Sequence, residues 1–286
     1  MVFPIAITFI WWHLIAYNMQ LEKGGESMTK VFLVGAGPGD EDLLTIKALK
    51  CIQKSDVILY DRLVNKEILK HAKENCELVY CGKLPNYHTM KQETINTFLV
   101  KYAKSGKIVT RLKGGDPFIF GRGGEGAEAL AKHHIPYEII PGITSGVAAA
   151  AYAGIPVTHR ELSGSVAFVT GHRRDGIDED AKWESLAKGI DTLAIYMGVS
   201  NLPYIQEQLM KYGKHSQTPV AVINWGTTDV QRTVTGTLEN IYQRVLQENI
   251  TNPSMIIVGE VVSLREKLSW YEEVIAKNAQ SEALLL

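Results

Sequence analysis

Val31-Phe32-Leu33-Val34-Gly35-Ala36-Gly37-Pro38-Gly39-Asp40 is the stretch on which the reading of this chain turns. Its four leading apolar residues predict a strand buried on both faces, as in the interior of a parallel sheet. Three glycines in the next five positions then let backbone approach a ligand where side chains would block it. A dinucleotide-binding turn, G-x-G-x-x-G, would place its third glycine at position 40 and hold a pyrophosphate on the free N–H groups beyond. Asp40 stands there instead, Glu41 and Asp42 follow it, and Pro38 lacks an N–H. An acidic run of this kind caps a helix well and repels phosphate. The turn therefore favours a cationic or neutral ligand, with a ligand-free strand-to-helix turn as the alternative.

From Thr29 onward, apolar strands alternate with amphipathic helices. Strands are expected over 31–34 and 57–60 and near 107–112, 136–140, 165–170, 191–196, 218–224, 230–236 and 254–258. Helices are expected over 41–53, with Asp40 as its cap, and near 91–104, 124–133, 145–153, 180–188, 200–211, 237–247 and 261–277. The turn-rich segment Gly154–Ser165 interrupts this rhythm and places a domain boundary there. The expected fold class is α/β: two α/β domains, 28–158 and 159–270, with mainly parallel sheets, a cleft between them and a tail over 271–286. Open α/β sheets bind ligands at the C-terminal ends of their strands. Gly35–Asp40, Asp61, Lys113–Phe118 and Pro141–Ser145 all fall there.

Thirty Lys and Arg balance 31 Asp and Glu in the 286 residues, so no general basic field draws the chain to nucleic acid. An anionic substrate must be met by a local patch. Cys51, Cys76 and Cys81 form no C-x-x-C pair and predict reduced thiols in a cytoplasmic protein without a metal site. Val2–Tyr17 is apolar but, at 16 residues, is short for a membrane span of roughly 20. It also lacks the basic start and cleavage site of a signal peptide. Codons for Lys23–Glu26 can spell a ribosome-binding site just upstream of Met28, so residues 1–27 are expected to be a non-native leader.

Lys113-Gly114-Gly115-Asp116-Pro117-Phe118-Ile119-Phe120-Gly121-Arg122-Gly123 is a shaped loop rather than a flexible one, because Pro117 and three apolar residues sit among its glycines. Asp116 is placed to accept from an amine or ribose, or to initiate a turn with Pro117. Together with Tyr60-Asp61-Arg62, Pro141-Gly142-Ile143-Thr144-Ser145, Gly154–Arg160, Val169–His172 and Tyr196-Met197-Gly198, this loop and the opening turn resemble the tetrapyrrole methylase superfamily. The resemblance spans about residues 29–270 and is closest to the branch that methylates uroporphyrinogen III.

That resemblance implies S-adenosylmethionine (SAM) as methyl donor, S-adenosylhomocysteine as its product, and uroporphyrinogen III as acceptor, methylated at C2 and C7 to precorrin-2. It places SAM at Pro38, Gly114, Gly115, Asp116, Ile119, Thr144, Ser145, Met197 and Gly226. It gives Asp61 the role of proton acceptor and Lys83 that of donor, and it implies a homodimer. The substrate's eight carboxylates call for arginine forks, and Arg62, Arg122 and Arg160 stand in the motif loops. Met197 equally fits a packing role, Asp61 a helix cap, and Lys83 and the arginines a solvated surface. Rival readings are a sibling corrin-ring or protein methylase, a binding protein that keeps the cleft, and an NAD(P) oxidoreductase using Asp61 on a ribose. Pro38 and Asp40 count against the last.

Overall fold

Strands that are apolar on both faces need cover on both faces, and this chain provides it twice. The computed structural model describes residues 30–82, 91–172 and 180–283; the expected leader, 1–27, lies outside them, as does Lys83. The first sheet holds β1 (Val31–Gly35), β2 (Val57–Tyr60), β3 (Glu77–Tyr80), β4 (Val109–Lys113) and β5 (Tyr137–Ile140) in the order β3-β2-β4-β1-β5. Its pairings are all parallel. Val31 and Leu33 join Val57, Leu59 and Val109 beneath α2 (Gln92–Lys104) and α3 (Gly123–Lys132). Phe32, Val34, Ile58 and Leu112 face the other way, onto α1 (Ile46–Lys54) and a 3-10 helix over Lys66–His71.

The second sheet holds β6 (Val166–Thr170), β7 (Thr192–Tyr196), β8 (Pro219–Asn224), β9 (Arg232–Thr237) and β10 (Ser254–Val258), ordered β6-β7-β10-β8-β9. Here the expectation of mainly parallel pairing needs correction, since only β6–β7 is parallel and the other three pairings are antiparallel. The reason is physical. A strand covered on both faces reads as an unbroken apolar run whichever way its neighbours point, so its direction leaves no mark in the pattern.

One face of this sheet packs on α5 (Asp180–Gly189), α6 (Leu202–Lys211) and α7 (Ile241–Gln247) through Trp183, Ile205, Leu209 and Ile241. The other face receives α4 (Ser145–Tyr152), which follows β5 of the first sheet yet lays Ala149 and Ala150 against Ala194, Ala221, Ile223 and Ile257 of the second. Alanine on both sides lets helix and sheet backbones come close.

Three boundaries differ from expectation. Instead of one helix over 41–53 capped by Asp40, a 3-10 turn over Glu41–Leu43 is followed by α1, whose cap is Thr45, accepting from Ala48 N at 3.1 Å. Asp40 caps only the short turn. The half-exposed edge strand β3 has no expected counterpart. The helix expected near 261–277 divides into a 3-10 turn (Glu260–Leu264), α8 (Arg265–Leu268) and α9 (Tyr271–Ala283).

A Cβ on Gly142 would lie 2.4 Å from Gly115 O and 2.8 Å from Gly35 Cα, backbone that cannot step aside. Gly142→Ala is expected to destabilise the fold by about 1–3 kcal/mol, measured by urea unfolding. A Cβ on Gly124, in the exposed first turn of α3, meets open space. Gly124→Ala is expected to be neutral or stabilising by up to about 1 kcal/mol.

Candidate active site

Backbone-to-backbone contact brings three loops together at the C-terminal edge of the first sheet. Gly37 N donates to Gly115 O at 3.2 Å and Gly115 N to Gly37 O at 2.6 Å, joining the loop after β1 to the loop after β4. Asp116 then ties the β4 loop to the β5 loop, accepting from Phe118 N at 2.7 Å on Oδ1 and from Gly142 N at 3.0 Å on Oδ2. A side chain on Gly35 would sit 2.5 Å from Gly142 N. These glycines serve loop-to-loop packing as much as any ligand. Pro38, Gly114, Gly115, Asp116, Thr144 and Ser145 thus stand on three adjacent loops.

The second sheet reaches the same place through Tyr196, at the end of β7. Its hydroxyl bonds Thr144 Oγ1 at 2.6 Å and accepts from Gly146 N at 2.9 Å, so it takes one of the free N–H groups at the start of α4. Its ring packs against Phe120 and Phe168 at 4.8 and 5.9 Å. Burial raises the Tyr196 phenol, and the hydrogen bonds to Thr144 and Gly146 offset part of that rise. Met197 follows directly and is exposed. Ile119, from the β4 loop, packs into the core shared by α4 and the second sheet. Gly226 lies against α4 so closely that a Cβ would fall 2.5 Å from Ala149 Cβ.

Among the described residues, five of the seven non-glycine residues with positive φ lie in these loops: Phe120, Arg122, Met197, Trp225 and Thr227. Each left-handed residue costs about 1–2 kcal/mol. Strain of this kind persists only where the surroundings over-determine it and collects at functional sites.

Asp61, the expected base, follows β2 and is half-buried. Its Oδ1 accepts from Arg111 Nη2 and its Oδ2 from Lys113 Nζ at 3.1 Å. Burial pushes this carboxyl up, but the charges and hydrogen bonds of Arg111 and Lys113 outweigh it, and Asp61 is held below the usual carboxylate range. Lys113 moves down, through burial and the neighbouring guanidinium, against the pull of Asp61. Arg111 and Lys113 are 3% and 7% exposed, so neither presents its charge to a ligand. Cys81, just past β3, lies near all three charges, and burial pushes its thiol up.

Of the expected substrate cations, Arg62 and Arg160 are exposed and have no ion-pair partner among the described residues. Arg122 pairs with Glu125, Nη2 to Oε2 at 2.7 Å, on the surface. Asp40 caps the short turn by accepting from Asp42 N at 2.9 Å, and its other oxygen accepts from Tyr152 OH at 2.7 Å.

Tyr196 and Lys113 make contacts in the site that the sequence reading did not assign. For Lys113 a signal was present: Arg111 and Lys113 alternate in an otherwise apolar strand, which puts two buried cations on one face beside Asp61. Tyr196 carried no local signal.

The family model for tetrapyrrole (corrin/porphyrin) methylases matches residues 30–242, and the chain belongs to that family. It is 71% identical over 236 residues to a uroporphyrinogen-III C-methyltransferase of Priestia megaterium, an alignment covering 82% of this chain and 99% of the relative. It is 63% identical over 257 residues to a uroporphyrinogen-III C-methyltransferase of Bacillus subtilis, covering 90% and 100%. Among solved structures it resembles a uroporphyrin-III C-methyltransferase from Thermus thermophilus complexed with S-adenosylhomocysteine, with TM-score 0.69, 36% identity, and 82% and 93% of the two chains covered. It also resembles a cobalt precorrin-4 methyltransferase, with TM-score 0.75, 29% identity, and 83% and 97% covered.

Lys113→Met keeps the bulk of the side chain and removes one of the two cations on Asp61. The Asp61 carboxyl is expected to titrate at higher pH in this variant, followed by 13C NMR of labelled aspartate. The sign also fixes a stability effect. Asp61 titrates lower folded than unfolded, so its contribution is complete above its unfolded value, about pH 4, and is lost as pH falls through the folded one. In Lys113→Met the folded value rises toward the unfolded one, so the contribution is smaller and its loss is complete at higher pH, which acid unfolding midpoints will show.

Proposed function

We propose that this chain is a SAM-dependent C-methyltransferase that methylates uroporphyrinogen III at C2 and C7, giving precorrin-2 and two molecules of S-adenosylhomocysteine. The observation that carries the reading is the crevice itself, in a chain of this family. Positions on three loops of the first sheet meet Gly226, packed on α4, and Met197, next to the Tyr196 anchor. The residues fit a neutral nucleoside bearing a sulfonium better than a dinucleotide. The helix after the glycine turn starts only at Ile46, beyond the acidic turn, so its N–H groups do not face the glycines as a pyrophosphate would need. Asp116 accepts one N–H on each oxygen and keeps lone pairs for a hydroxyl.

In this reading Pro38, Gly114, Gly115, Asp116, Ile119, Thr144, Ser145, Met197 and Gly226 hold SAM, which supplies an electrophilic methyl group on sulfur. An electron-rich pyrrole carbon attacks such a methyl without further activation, so the protein's task is alignment and exclusion of water. The methylated ring must then lose a proton. Asp61 is the group we assign to receive it, with Lys83 as proton donor. Arg111 and Lys113 keep Asp61 ionised, and a proton arriving there competes with both cations for the carboxylate oxygens.

Arg62, Arg122 and Arg160 are assigned to the carboxylates of the porphyrinogen. Arg62 adjoins Asp61 in sequence, which sets a fork beside the base. The surface pair of Arg122 with Glu125 is of the kind worth about 0–1 kcal/mol and yields readily to a substrate carboxylate. The boundary near residue 158, a homodimer and a cytoplasmic location complete the reading. In its support, no helix among the described residues is long and apolar enough to cross a membrane. Precorrin-2 feeds both siroheme and cobalamin synthesis, and the chain serves either.

Anaerobic incubation with uroporphyrinogen III and SAM is expected to give the absorption spectrum of precorrin-2, with two S-adenosylhomocysteine formed per macrocycle. Calorimetry is expected to show binding of S-adenosylhomocysteine and none of NADH, and the reverse result overturns the assignment. Asp61→Asn should lose most turnover; full activity removes Asp61 from the mechanism. Arg62→Ala and Arg160→Ala should each raise KM for the porphyrinogen roughly ten- to a hundredfold, the worth of a charged hydrogen bond of about 1.5–3 kcal/mol. Equal loss of SAM affinity contradicts their role.

A further inference from the structure

We propose that Tyr152 and Tyr271 close a clasp around the outer end of the crevice, which makes Tyr152 a positioning residue for SAM; this rests on the SAM site assigned above. The clasp is a ring of four residues from four segments. Tyr152 OH, at the end of α4, donates to Asp40 Oδ2 at 2.7 Å. Asp40 N donates to Thr227 Oγ1 at 3.1 Å, in the turn between β8 and β9. Thr227 O accepts from Tyr271 OH at 3.3 Å, at the start of α9. The Tyr271 ring returns to the Tyr152 ring edge-on at 4.6 Å.

Each segment in the ring carries or adjoins a residue assigned to SAM, or holds one that does. Asp40 ends the loop of Pro38, Thr227 follows Gly226, and α4 begins at Ser145. The turn at 225–227 needs such support. Trp225 and Thr227 both have positive φ, 47° and 71°, and Thr227 is β-branched, for which that conformation is a true outlier. Thr227 is buried, its N–H donates to Gln231 Oε1 at 2.7 Å, and the ring of contacts above fixes its other two polar atoms.

The C-terminal segment adds the lid of the clasp. Trp270 Nε1 donates to Ala151 O at 3.0 Å and its ring packs on Tyr152 at 5.1 Å. Arg265 Nη1 donates to Ala153 O at 2.5 Å while Nη2 bonds Glu272 Oε1 at 2.5 Å, which fastens α9 to the end of α4. Burial, and then the hydrogen bond to Asp40, push the Tyr152 phenol up, so it stays a donor throughout the physiological range. Asp40, conspicuous in the sequence as an acidic residue at a glycine turn, thereby acts through Tyr152 and Thr227 and does not touch the ligand.

The test removes single hydroxyls and leaves every ring in place. Tyr152→Phe and Tyr271→Phe are expected to raise the Kd for S-adenosylhomocysteine and the KM for SAM, about tenfold for Tyr152→Phe, while kcat at saturating SAM changes less than twofold. The double variant should lose less than the product of the two single effects, because both act on one ring. Asp40→Asn leaves one acceptor oxygen for two donors, Asp42 N and Tyr152 OH, and is expected to weaken S-adenosylhomocysteine binding in the same direction as Tyr152→Phe. Unchanged affinity in both phenylalanine variants, even with a lowered thermal midpoint, shows a merely structural contact and overturns the proposal. Failure of the wild-type chain to bind S-adenosylhomocysteine overturns the SAM reading and the clasp with it.

Discussion

Helix α4 belongs to the first sheet by chain order and to the second by packing, and the crevice exists because of that double attachment. Its N-terminus continues the loop after β5, where Gly142 is locked to Asp116 and abuts Gly35 and Gly115. Its body lies on the second sheet through alanines, and Gly226, just past β8 of that sheet, abuts Ala149. Neither attachment tolerates added volume, since the neighbouring atoms are backbone or a methyl at van der Waals limit. The two sheets therefore share one reference element, and loops from both are set against it. Tyr196 completes the joint from the opposing sheet by accepting from Gly146 N at the helix start and bonding Thr144 Oγ1.

Much of this was legible in the sequence because it depends on local pattern. The strand Val31–Val34 reads as buried on both faces and lies in the interior of the first sheet. Glycine and polar turns at strand ends mark the edge where the loops converge. What could not be read depends on partners far along the chain. The direction of β10 between β7 and β8 leaves apolar periodicity unchanged, and β3 is a short edge strand with exposed Glu77 and Leu78. Asp40 has the chemistry of an N-cap, but Tyr152, 112 residues away, takes its second oxygen, and the helix start moves on to Thr45.

The charged part of the site divides in the same way. Arg62 and Arg160, proposed from their loops alone, are exposed. The pairing of Asp61 with Arg111 and Lys113 requires knowing that β2 and β4 are neighbours, although the two cations at alternate positions of an apolar strand already ask for a counter-charge. A sheet with β2 at an edge away from β4 would have left two buried cations unpaired, a cost of several kcal/mol each. The order of the strands and the clamping of Asp61 are thus one fact seen at two scales.

That arrangement also decides which cations face solvent. Arg111 and Lys113 exceed Asp61 by one positive charge, yet both are buried and paired with its carboxylate. Their effect is therefore to hold one oxygen acceptor ionised and fixed in orientation. Arg62 and Arg160 are exposed instead, and Arg122 holds only a surface pair with Glu125. Under the proposed assignment, the cations that set the base are buried and those that bind carboxylates are exposed, so a carboxylate bound at Arg62 or Arg160 leaves the clamp on Asp61 intact.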